Sequence, residues 1–82
     1  MNTFYFEMTD TFGGELNYCW LHRFTVNAKS VRGALNKISR ETGLHFRYNG
    51  INWKAKNACI ALYEYSEFDM PDSDWISKSK TL

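Results

Sequence analysis

Four side chains in this sequence have the chemistry to ligate a metal or to act as nucleophile and base: Cys19, His22, His45 and Cys59. Their spacing argues against both uses. Zinc sites are announced by close local pairs, such as Cys-x-x-Cys or His-x-x-x-His, and no such pair occurs. Cys19 and His22, three residues apart, point to opposite faces if they lie on a strand. A Cys–His dyad needs a turn that exposes the nucleophile and supplies oxyanion donors. Neither cysteine is flanked by one, and Gly13-Gly14 upstream of Cys19 is too unspecific to count. The same glycines do not make a phosphate loop, which requires a following Lys and a helix N-terminus; here a strand pattern follows. The carboxylates fall in loop and tail regions and not in a cleft, so acid–base catalysis by a carboxylate pair is not indicated. The expectation is a non-enzymatic chain without catalytic residue, metal or cofactor, with both cysteines reduced in the core.

Charge is more informative than any of these residues. The net charge of +1 conceals three blocks. Residues 1–20 carry a net −3, residues 21–56 a net +7 and residues 57–77 a net −5. The basic block supplies Arg32, Lys37, Arg40, Arg47 and Lys54, interleaved with Phe46, Tyr48 and Trp53. Basic side chains hold phosphates while exposed rings stack bases, so this block is a candidate nucleic-acid surface. The near-neutral total and the lack of an RNP strand motif or helix-turn-helix weigh against that use. The acidic block supplies Glu64, Glu67, Asp69, Asp72 and Asp74 beside Tyr65, Phe68 and Trp75. Carboxylates at that density complement a basic groove, and neighbouring aromatics add contact area. Glu64, Tyr65, Glu67, Asp69, Asp72 and Asp74 are therefore the candidate partner-binding patch.

The elements that must position these groups can be read from periodicity. Phe4, Phe6 and Met8 alternate with polar residues, giving a strand over 3–9. Tyr18 to Val26 alternates again, giving a second strand after the glycine turn. Ser30 is placed to cap a helix. Val31, Ala34, Leu35 and Ile38 form one apolar stripe, and Gly43 sits where helices end in the left-handed conformation. Gly33 inside this helix implies a close approach to the sheet. Residues 44–48 read as a third strand and 58–65 as a fourth, apolar on both faces and so central or partner-facing. Asn49-Gly50 marks a turn, and residues 51–54 an irregular connection. The predicted fold is an α+β domain of ββαββ order, a four-stranded antiparallel sheet with one helix on one face. Residues 1–70 form the single domain expected for 82 residues. Residues 71–82 form a polar, mobile tail, in which Trp75-Ile76 offers the one segment able to dock back on the domain. A helix on one side leaves the second sheet face solvated or free to bind. No basic-apolar leader and no membrane-length apolar run are visible, which predicts a cytoplasmic protein with no membrane partner.

The stretch Asp10-Thr-Phe-Gly13-Gly14-Glu15-Leu-Asn-Tyr18-Cys-Trp20 resembles a D-x-[FY]-G-G-E-x-N-Y-x-W pattern found in very small phage and mobile-element proteins. In those the motif also stands between two strands, ahead of a helix rich in Ala, Arg and Lys. Small phage proteins of this size and layout include anti-CRISPR proteins, which block host nuclease complexes stoichiometrically. The resemblance implies a phage-type inhibitor in a bacterial host. Its partner would be a host protein or ribonucleoprotein, a CRISPR effector in particular, and it would act as a monomer or homodimer. The motif has a structural reading as well: the glycines turn the chain, Asp10 and Glu15 bond backbone groups, and Tyr18 and Trp20 anchor one strand face.

Overall fold

Alternation of apolar and polar residues forms strand β1 (Asn2–Asp10) and strand β2 (Trp20–Ala28). The computed structural model describes the backbone of residues 1–11 and 20–82 and the side chains of 1–11 and 22–82. The strands pair antiparallel, with Phe4 opposite Val26, Phe6 opposite Phe24 and Glu7 opposite Arg23, and the register shifts between Met8 and Thr9. Period two then sorts the side chains. Phe6, Met8, Phe24, Val26 and Ala28 point to one face and are buried. Tyr5, Glu7, Arg23 and Thr25 point to the other.

Helix α1 (Val31–Thr42) covers the first face. The Ser30 hydroxyl accepts the Gly33 N–H at 3.2 Å, satisfying one orphan donor of the first turn. Gly43 closes the helix with φ of 73° and donates its N–H to the Ser39 carbonyl. Ala34 and Ile38 from its apolar stripe join the strand residues and Leu62 in one core. Each fully buried large side chain contributes about 1.5–3 kcal/mol, so Phe6, Phe24, Ile38 and Leu62 carry most of this thin core.

The rest of the sheet departs from the expected four antiparallel strands. Strands β3 (Phe46–Tyr48), β4 (Trp53–Ala55) and β5 (Ile60–Glu64) follow α1, then helix α2 (Ser73–Lys78) and strand β6 (Lys80–Thr81). They build one mixed six-stranded sheet in the order β3-β4-β5-β1-β2-β6. β5 is interior, as its two-sided apolarity predicts: Ala61 and Leu62, neighbours on opposite faces, are both buried. Trp53 and Lys54, expected within an irregular connection over 51–54, belong to strand β4. Asn49 accounts for this: its Oδ1 accepts the N–H groups of Ile51 and Asn52, and Gly50 takes a φ of 98°. The chain reverses tightly enough for β4 to pair with both β3 and β5. β6 pairs parallel to β2, with Phe24 opposite Lys80.

Residues 71–82, expected to be a mobile tail, contain α2 and β6. The Asp72 carboxylate accepts the Trp75 N–H at 2.8 Å and starts α2. Trp75 is only 7% exposed; it packs edge-on against Tyr5 and Tyr65 at 6.1 and 5.3 Å between ring centroids. Both lie on the face away from α1. The second sheet face is therefore covered in part, by a second helix, where a single-helix fold would leave it open. The Thr25 and Ser79 hydroxyls bond at 2.6 Å, and the Leu82 N–H reaches the Thr25 carbonyl at 2.8 Å. Lys80 pairs with Glu41 of α1.

Two outcomes in denaturant unfolding follow. Trp75→Ala lowers stability by about 3 kcal/mol, the loss expected of a buried indole; a change within about 0.5 kcal/mol would return residues 71–82 to a mobile tail. At Gly33 an added Cβ meets Ala28 Cβ at 3.6 Å and Ser30 Oγ at 3.5 Å, ordinary contact distances. Close approach to the sheet is therefore not what requires glycine here. Gly33→Ala raises stability by about 0.5–1 kcal/mol through helix propensity, and a lower unfolding midpoint would refute this.

Candidate functional site

The candidate acidic patch is divided by the fold. Glu64 lies opposite Phe6, on the α1 face, where burial raises its carboxyl above the usual range. Tyr65, one residue on, belongs to the other face. Its hydroxyl donates to Glu7 Oε2 at 3.0 Å, while Arg23 Nε donates to Glu7 Oε1 at 3.2 Å. The Arg23 guanidinium lies 5.7 Å from the Trp75 ring centroid. Tyr63 stands edge-on to Tyr65 at 5.1 Å and donates its hydroxyl to Asp69 at 3.2 Å. Asp72 caps α2, and Asp74 pairs with Lys78 one turn on, in an exposed contact worth little. Of the six residues, Glu67 and Asp69 remain together as exposed carboxylates, on the connection between β5 and α2.

Glu7, Arg23, Tyr65 and Trp75 form a cluster that charge density along the sequence does not mark. Its signal was present in the hairpin, since pairing the first two strands places Glu7 against Arg23. Burial, the Glu7 hydrogen bond and the Glu7 charge push the Tyr65 phenol up to about 12, outweighing Arg23. Burial and Asp69 push Tyr63 in the same direction. The cluster fixes α2 to the sheet.

The basic residues separate too. Lys37 is half-buried and donates its ammonium to the Asn27 carbonyl, tying α1 to β2. Arg32 and Arg40 are exposed on α1. Arg47 and Lys54 are rung partners on β3 and β4 and share a face. With Lys56 they line a depression of about 370 Å³. A second one, about 460 Å³, runs between α1 and β3. Val31, Leu35 and Phe46 give it apolar walls, Arg32 and Lys56 bring cationic side chains, and His45 lines it as well. Among the described residues, no carboxylate lines either depression. Lys56 joins the two, and the basic block of the sequence hinted at it without placing it.

Asp10 ends β1 opposite Ile60, and Trp20 opens β2 opposite Thr9. Gly13, Gly14, Glu15 and Tyr18 lie outside the described residues, as does Cys19. Cys59 is exposed, against the expected buried thiol, and shares an open depression with Lys54 and Lys56 but neither histidine. Among the described residues, no three His, Cys, Asp or Glu side chains gather as a metal site, and no helix is long and apolar enough to cross a membrane. No protein family, curated protein or solved structure matches the chain.

The Tyr65 environment makes a titration testable. Its folded pKa lies above the ordinary 10.0, so its stabilising effect is complete below pH 10 and is lost as pH rises through about 12. In alkaline ultraviolet titration one phenol ionises near 12. Tyr65→Phe removes that step and flattens the loss of stability over the same range. If Tyr65→Phe instead removes a step at the ordinary 10.0 and leaves the step near 12 in place, Glu7 does not hold this phenol.

Proposed function

We propose that this chain is a non-enzymatic inhibitor of the phage type that binds a host defence complex in the bacterial cytoplasm, in the manner of an anti-CRISPR protein. The observation that supports it most is the groove between α1 and β3. Val31, Leu35 and Phe46 offer apolar contact area, Arg32 and Lys56 add cations, and among the described residues no carboxylate lines the groove. Such a groove suits a protein surface carrying carboxylates around an apolar anchor. Occluding a cationic nucleic-acid channel calls for a dense run of free carboxylates. Here Asp72 and Asp74 are engaged and Glu64 faces elsewhere, which favours blocking an assembly surface. The resemblance of residues 10–20 to small phage proteins supplies the biological context.

A second reading, a small nucleic-acid-binding module, has one observation in its favour: Arg47 and Lys54 stand side by side in a depression that no carboxylate among the described residues lines, an arrangement suited to phosphate.

Co-purification with CRISPR effector complexes tests the first reading. The wild-type chain is retained and lowers interference in cells, whereas R32E/K56E is not retained and leaves interference intact. No retention of the wild type, with interference unchanged, would overturn it. A gel shift that weakens with salt and disappears in R47A/K54A would instead establish the second.

A further inference from the structure

Met1 apart, the exposed large apolar side chains among the described residues are Tyr48, Ile51, Phe68 and Met70. They occupy two turns, each carrying one sign of charge. Ile51 is 82% exposed and Tyr48 56%, at the tip of the β3–β4 hairpin, where Arg47 and Lys54 form the first rung behind the closing pair Tyr48–Trp53. Phe68 is 92% exposed and Met70 54%, on the β5–α2 connection, beside Glu67 and Asp69. Both turns are held by their own hydrogen bonds. Asn49 Oδ1 accepts from Ile51 and Asn52. Ser66 accepts the Phe68 N–H at its hydroxyl and the Asp69 N–H at its carbonyl, and Tyr63 donates to Asp69.

Sheet register brings the turns to one end of the molecule. Trp53 pairs antiparallel with Leu62. The chain before Trp53 and the chain beyond Leu62 therefore leave the sheet on the same side, and the Tyr65 N–H still bonds the Tyr5 carbonyl there. One end of the sheet thus presents a basic apolar turn and an acidic apolar turn together. A surface with both halves of a complementary pair is self-complementary under a two-fold rotation.

We propose that this end is a homodimer interface, in which the hairpin tip of each copy meets the β5–α2 connection of the other. Ile51 and Tyr48 pack on Phe68 and Met70 of the second copy, while Arg47 and Lys54 face its Glu67 and Asp69. A closed two-fold pair satisfies both turns of both chains at once and stops at two copies. The groove between α1 and β3 borders the hairpin through Phe46, which shares a sheet face with Tyr48, but Arg32 and Lys56, on which the proposed host partner depends, are not among the dimer contacts, so the two proposals fail separately. The patch is small against the roughly 1,200 Å² of stable interfaces, so the dimer forms and dissociates with concentration.

Sedimentation equilibrium of the nuclease-treated full chain tests this. The wild type approaches twice the monomer mass as concentration rises and dissociates as salt goes from about 0.05 to about 0.5 M, since screening weakens paired surface charges. R47E/K54E and E67K/D69K each sediment as monomers, because each sets like charges together. Mixed in equal amounts, they form the dimer again, since every contact in the mixed pair joins opposite charges. I51D stays monomeric alone and in mixtures. A wild type that remains monomeric throughout, a mass beyond two copies, or a mixture that fails to recover the dimer while circular dichroism shows both variants folded would each overturn the proposal.

Discussion

The register between β1 and β2 is the constraint on which the rest of the molecule depends. Placing Phe6 against Phe24 also places Glu7 against Arg23, because neighbouring rungs point to opposite faces. The first pair lies in the core under α1. The second makes the ion pair whose carboxylate also accepts the Tyr65 hydroxyl, next to the indole that seats α2. A slip of one residue would turn the phenylalanines out and drive a carboxylate and a guanidinium beneath the helix. Both helices are thus specified by one alignment, and neither sheet face can be repaired without the other.

How much of this was legible depended on the length of each element. β1, β2 and α1 are nine to twelve residues long, long enough for periodicity to show, and the Ser30 and Gly43 caps bounded the helix. β5 was recognisable because Ala61 and Leu62 make it apolar on both faces. β4 has three residues and β6 two, too few to display a period. They are strands because a partner is already present: β5 beside Trp53, and β2 beside Lys80. α2 carries a readable start in Asp72, but six residues cannot hold a helix in isolation. Its stability comes from Trp75 packed against rings at positions 5 and 65, a contact between distant segments.

The candidate sites were less legible than the fold, because density along the chain is not density in space. Glu64 and Tyr65 are adjacent in sequence, yet strand alternation sends them to opposite faces. Asp72 and Lys37 look like binding charges in sequence and are backbone ligands in the structure, one capping α2 and the other anchoring α1. Conversely, Arg32 and Lys56 are twenty-four positions apart and line one groove, because α1 lies across the sheet where β4 ends. The block pattern of charge was a sound signal that surfaces of both signs exist. It could not say which charges the fold would use for itself.

Structure already spent on the fold also clarifies what the exposed turns mean. A domain of this size has a high ratio of surface to volume, so scattered exposed apolar groups are unremarkable. Here they are neither scattered nor loose. Asn49 and Ser66 use side-chain hydrogen bonds to fix the backbone of the turns that carry Ile51 and Phe68. A turn fixed before contact loses less conformational freedom when it docks than a loose one. Ordering a turn in water while leaving its largest apolar side chain in solvent stabilises the isolated chain little. The same ordering lowers the entropy lost in association, and that effect is realised only when a second surface covers the two turns.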